Sequence, residues 1–172
     1  MGREMGRGLT AYEILEIAEQ MERNAARFYR RAAALCEDLR VSKLLSELAQ
    51  WESRHVQVFT EMKEQLSARA WELGHRELER VGSPPPVPTP PVFGDQAEPA
   101  RELTGRESKA DVFALAIRKQ EYVIAYYTGL KEFVLGKSNV RVLKDIIREE
   151  NRHLRILTDS LERISRQWPR EP

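Results

Sequence analysis

The chain repeats itself at an offset of 98 residues. The stretches "QWESRH" at 50–55 and "EENRH" at 149–153 each place a glutamate three residues before a histidine. Glu52 and Glu150 are 98 apart, and so are His55 and His153. At the same offset Tyr29 falls on Tyr127, Ala18 on Ala116, Leu45 on Leu143 and Arg54 on Arg152. Leu15 falls on Phe113, Leu48 on Ile146 and Phe28 on Tyr126, apolar on apolar. Helix-start signals recur too: Thr10 with Glu13, and Ser108 with Asp111, both have capping-box character. Such a repeat restricts the chain to folds that use one supersecondary unit twice.

The unit is a pair of helices. Residues from about Ala11 to Leu35 place Leu15, Ala18, Glu22, Ala26, Tyr29 and Ala33 on one helical face. From Val41 to the mid-60s, Leu45, Leu48, Glu52, His55, Val56 and Phe59 share a face. A third helix is expected from Lys109 to Leu135, aligning Phe113, Ala116, Gln120, Ile124 and Tyr127, with Gly136 as its stop. A fourth runs from Asn139 to about Ser165, with Val142, Leu143, Ile146, Glu150, His153, Leu154 and Leu157 aligned. No stretch alternates as a strand would. Residues 36–41 and 136–139 are short, so each pair closes as an antiparallel hairpin.

The middle connection is long and carries "PPPVPTPP" at 84–91. Proline at that density is extended rather than helical. Eight such residues cover roughly 25 Å at about 3.1 Å each. That suits a crossover along the length of a bundle better than a ligand for a proline-recognising domain. The segment "ARAWELGHRELERVG" before it reads as a helical extension, and the isolated His75 there as a solvated residue. The expectation is one all-α domain over residues 1–172: hairpin 11–66, proline-rich crossover 67–108, hairpin 109–168.

Composition narrows the partners. With 32% charged residues and a net charge of +1, nothing attracts nucleic acid or an anionic membrane surface in general. No apolar run approaches the roughly 20 residues of a membrane span. The first ten residues lack a hydrophobic signal segment, so a cytoplasmic location is expected. The single cysteine, Cys36, ends an apolar stripe and reads as a small buried residue; it cannot build a Cys-x-x-Cys metal knuckle.

Glutamates inside apolar stripes demand an explanation. Residues three apart on a helix reach one point, so each Glu-x-x-His offers a carboxylate and an imidazole together. Glu22, Glu52, Glu150, His55 and His153 converging in a bundle core need a cation. Arg54 and Arg152 sit two residues after each glutamate and point away from the stripe. Acid–base chemistry without metal leaves the symmetry unexplained. A pair of metal ions explains both symmetry and ligand type, and carboxylate with imidazole suits iron, manganese or zinc. The symmetry fails at one place: Glu22 is matched by Gln120, with Glu121 beside it.

The combination resembles the rubrerythrin family of ferritin-like di-iron proteins. The resemblance rests on "EQMERNAARFY" at 19–29, "ELAQWESRH" at 47–55, "AIRKQEYVIAYY" at 116–127 and "DIIREENRH" at 145–153. It implies an antiparallel four-helix bundle around two iron ions that reduce peroxide or dioxygen or oxidise ferrous iron. By that resemblance Glu52 and Glu150 bridge the ions, His55 and His153 are terminal ligands, and Glu22 is a terminal carboxylate. Tyr29 and Tyr127 are the candidate catalytic-site tyrosines, holding ligand carboxylates or serving as aromatic core. The family's rubredoxin domain has no counterpart here, so electrons come from an external donor or from substrate iron. The alternative is a non-catalytic metal-binding or iron-handling protein with an incomplete site, or a scaffold whose site has decayed.

Two further expectations follow. A π-bulge in the third helix brings Glu121 inward as a ligand, or Gln120 offers a neutral oxygen or none. Either way the Glu22–His55 side fills first and the side of His153 and position 120 binds more weakly. Trp71, Phe133 and Trp168, apolar on exposed helix positions, suggest a homodimer.

Overall fold

The computed structural model describes residues 11–72, 103–131 and 137–167. Among these residues lie four α-helices and no strand: α1 (Ala11–Leu35), α2 (Leu39–Glu72), α3 (Lys109–Leu130) and α4 (Lys137–Gln167). They form an antiparallel four-helix bundle in which α1 pairs with α2, α3 with α4, α1 faces α3 and α2 faces α4. None of the described helices is long and apolar enough to cross a membrane.

Directions follow from contacts between named residues. Lys63 of α2 reaches Glu19 of α1, and Ser42 bonds to Ala33, so α1 and α2 run oppositely. The Tyr126 hydroxyl of α3 donates to the Ile14 carbonyl, while Tyr29 of α1 donates to Gln120. So α1 and α3 are also opposed. Hence α2 and α3 run parallel. The proline run 84–91, His75, Thr10, Gly136, Phe133 and Trp168 lie outside the described residues, as does the side chain of Trp71.

Local chemistry sets the helix ends. Asp38 caps α2, its Oδ1 accepting from the backbone N–H groups of Arg40 and Val41 at 3.0 and 3.3 Å. This starts α2 two residues before the expected Val41. No breaker follows in the mid-60s, so α2 runs on to Glu72, into the start of the segment expected as a helical extension; the rest of that segment lies outside the described residues. Ser108 and Asp111 form the expected capping box, with backbone-to-side-chain distances of 3.1 and 3.0 Å. The Asp38 carboxylate also holds Lys109 at 2.8 Å, joining the first turn between helices to the start of α3. α3 ends at Leu130, short of the expected Leu135; Gly129, a poor helix former, precedes its last residue. Before α3, Gly105 adopts φ +87°, a turn that the Glu107 carboxylate holds through the backbone of Thr104 and Gly105. The turn seats Leu103 in the core.

The core is the set of stripes read from sequence. Leu15, Ala18, Ala26, Leu45, Leu48, Phe59, Phe113, Ala116, Leu143, Ile146 and Leu157 are buried. Four expected core residues are only half-buried: Val56, Ile124, Val142 and Leu154. On α3 the buried position is Val123 rather than Ile124. Cys36 is also half-buried rather than buried, because it sits at the helix end, its thiol 3.7 Å from the Asp38 carbonyl.

Candidate metal centre

Each helix of the bundle contributes polar side chains to one level of the core. α1 supplies Glu22, α2 supplies Glu52 and His55, α3 supplies Gln120, and α4 supplies Glu150 and His153. All six are at most 3% exposed. Donor atoms of Glu22, Glu52, His55 and Glu150 lie within 4.8 Å of one another. His55 Nδ1 is 2.7 Å from Glu150 Oε1, 3.3 Å from Glu52 Oε2 and 3.7 Å from Glu22 Oε1. His153 Nδ1 lies 3.3 Å from Glu150 Oε2 and 3.5 Å from Glu52 Oε1. Both imidazoles thus turn Nδ1 inward, and Glu52 and Glu150 stand between them.

These groups are not satisfied as hydrogen-bonded protein polar groups normally are. Glu22 Oε2, both oxygens of Glu52, Glu150 Oε1 and His55 Nδ1 have no hydrogen-bond partner despite their mutual proximity. Glu19, one turn from Glu22, differs in the charge around it: it is buried beside two cations, Lys63 at 2.6 Å and Arg23. Arg54 and Arg152 are exposed and do not compensate the cluster. Three carboxylates and two imidazoles with lone pairs aimed at common space fit a multiply charged cation.

Protons partly take the cation's place. Burial, reinforced by repulsion from Glu150 and Glu52, raises Glu22 well above the usual carboxylate range. Burial acts the same way on Glu52, but the nearby His153 and His55 imidazoles outweigh it and bring Glu52 down to about 2. Burial opposes charge on His153, yet Glu150 and Glu52 lift it to about 9. His55 is raised further, by Glu150, Glu22 and Glu52, against the cost of its burial.

The tyrosines brace the cluster across the bundle. The Tyr127 hydroxyl donates to Glu22 Oε1, and the Tyr29 hydroxyl donates to Gln120 Oε1 at 3.1 Å. Each therefore serves the matching position on the opposite hairpin. Burial first, and the neighbouring carboxylates second, raise both phenols well above their ordinary value, so they remain donors.

Position 120 is settled by helix phase. α3 is continuous, without a π-bulge, so Gln120 faces the cluster and Glu121 is exposed. The expectation of Glu121 as an alternative ligand is corrected accordingly. Gln120 uses both ends of its amide: the NH2 donates to Glu150 Oε2 and the carbonyl accepts from Tyr29. Turned over, its oxygen would oppose a carboxylate, so this orientation is the one the network supports.

Three nearby residues escaped the reading by periodicity. Glu149, largely exposed, accepts from His55 Nε2 at 2.9 Å. Trp51 stacks on His153 with ring centroids 4.7 Å apart and planes 10° from parallel. Lys119 is buried on α3, its ammonium 5.3 Å from the Phe28 ring centre, and it lines a narrow cleft with Glu22, Glu52, Gln120 and Glu150. Trp51 and Glu149 were the residues immediately before each Glu-x-x-His.

The rubrerythrin family model matches residues 13–161. The chain belongs to the rubrerythrin family. A solved structure from Thermotoga maritima, of a protein classed as ferritin-like diiron-carboxylate, aligns with TM-score 0.69 at 23% identity. The alignment covers 91% of this chain and 97% of that one, and it supports the fold. No curated protein matches the chain significantly. For this rubrerythrin-family chain, the buried Glu and His cluster at mid-bundle is the place where a metal ion fits.

Proposed function

We propose that the chain is a di-iron oxidoreductase that reduces peroxide or dioxygen, or oxidises ferrous iron. The observation that carries this reading is the set of buried carboxylate oxygens without hydrogen-bond partners that share one space with His55 Nδ1. Glu22 and His55 would hold one ion, His153 the other, with Glu52 and Glu150 between them. Bound iron supplies reversible one-electron steps at each ion.

The protein's own residues prepare the site. Tyr127 fixes the Glu22 carboxylate, and the Tyr29–Gln120 pair fixes Glu150. Phe59 packs its ring 5.2 Å from that of Tyr127, and such apolar walls keep bulk water from the charged groups. An external donor or substrate ferrous iron would provide the electrons.

The decisive experiment is anaerobic loading with ferrous iron followed by hydrogen peroxide. Peroxide consumption with growth of ferric absorbance is expected. A protein that binds iron and consumes no peroxide or dioxygen defeats the enzyme reading. The second reading, a metal-binding protein without turnover, draws on Gln120, whose amide is spent on Glu150 and Tyr29. Metal analysis of protein purified from its own host separates iron from zinc and manganese.

A further inference from the structure

The two halves of the cluster differ at the residue that faces each histidine from across the bundle. His55 of α2 is faced by Glu149 of α4, whose Oε2 lies 2.9 Å from His55 Nε2. A carboxylate there holds the proton on Nε2, keeps Nδ1 as the inward lone pair and raises its basicity. His153 of α4 is faced by Trp51 of α2, the residue 98 positions before Glu149. An indole face accepts no comparable hydrogen bond. Trp51 instead lies flat on the imidazole, 4.7 Å between centroids, and Arg152 covers it with its guanidinium 4.6 Å from the ring centre. His153 is fully buried and its Nε2 has no hydrogen-bond partner. On its outward side the ring is therefore held by stacking rather than by a hydrogen bond, while Nδ1 faces Glu150 Oε2 at 3.3 Å.

We infer that Trp51 makes the His153 half of the centre the exchangeable half. The ion held by Glu22 and His55 is retained, and the ion at His153 enters and leaves as a divalent first-row cation. Trp51 acts as a positioning residue, through His153. The inference rests on the reading that this cluster holds two ions. It is independent of Gln120: position 120 removes a charge from that half, whereas Trp51 removes the support of its imidazole. Loss of such a carboxylate partner commonly lowers metal affinity about 10- to 100-fold.

The test uses zinc(II) and cobalt(II) binding, with no turnover. Isothermal titration of the metal-free full chain is expected to give two ions separated by at least about tenfold in affinity. In a Trp71→Phe, Trp168→Phe background, the emission of Trp51 is expected to follow the weaker ion. Trp51→Glu supplies the missing carboxylate and is expected to tighten the weaker ion about tenfold or more. A gain of affinity is not what damaged packing produces. Trp51→Phe keeps a stacked ring and leaves the gap in place. Glu149→Ala, at a largely exposed position, lowers the tighter affinity toward the weaker one and serves if Trp51→Glu fails to fold. Two equal affinities in the wild type overturn the inference while leaving the metal reading intact. So does a folded Trp51→Glu variant with its weaker affinity unmoved, or a Glu149→Ala variant with its tighter affinity unmoved. Absence of any bound ion instead defeats the two-metal reading, and this inference with it.

Discussion

Metal-free protein titrated with zinc(II) should expel protons in numbers an ordinary histidine site does not. The cluster keeps both imidazoles charged when no metal is present: His153 is lifted to about 9, and His55 is raised further. Metal binding requires neutral imidazole. At pH 7 saturation should therefore release about two protons, with a third wherever Glu22, raised by burial, still holds its own. Two histidines at the unperturbed value of about 6.5 would together release only about half a proton. Two protons also make the overall affinity for the pair of ions improve about 100-fold, or about 2.7 kcal/mol, per pH unit through neutrality. The assay is isothermal titration calorimetry in buffers of contrasting ionisation enthalpy, where observed heat against buffer enthalpy has the proton number as its slope. A slope below one proton per saturated protein, or an affinity flat from pH 6 to 8, refutes the proton-for-metal exchange.

The same shifts set the stability of the metal-free bundle. His55 and His153 have raised values, so their contribution is full below their unfolded value of 6.5 and fades as pH climbs through the folded values. Glu22, also raised, loses its contribution as pH rises above its unfolded 4.5, whereas Glu52, lowered to about 2, contributes above 4.5 and loses it as pH falls toward 2. The metal-free melting temperature should peak between those unfolded values, in mild acid, and decline toward pH 9; a melting temperature that rises from pH 6 to 9 contradicts this. Gln120→Glu sets a new carboxylate against Glu150 in place of an amide donor. It should destabilise the metal-free form by about 1–3 kcal/mol and tighten binding of the second ion, read by urea unfolding with and without zinc. Tyr127→Phe strips Glu22 of its hydroxyl donor and should cost about 1–3 kcal/mol in the metal-free state. An unchanged unfolding midpoint would show that the bond carries no weight.

What periodicity can reveal ends at the surface of one helix. Leu45, Leu48, Glu52 and His55 announce their common face because spacing alone decides it, and all four are buried. Glu22 and Glu150 were legible for the complementary reason, as carboxylates interrupting an apolar stripe. Gln120 over Glu121 was also a matter of helical phase, and only the allowance for a π-bulge kept it open. Ile124 and Val123 lie 100° apart on either side of α3's buried face, and single-helix phase is too coarse to choose between them. The pairings Tyr127–Glu22, Tyr29–Gln120, Glu149–His55 and Trp51–His153 depend on how far one helix slides along another. No spacing within a helix encodes that. The offset of 98 nevertheless carries part of the answer. Once Glu149 is seen against His55, pseudo-twofold correspondence requires residue 51 to sit against His153. The chain places tryptophan there. Residues that keep the 98-residue match build the centre, and those that break it, Trp51 against Glu149 and Gln120 against Glu22, concentrate on the same half. Two independent losses of ligand support on one side are what a centre with one resident and one exchanging ion requires.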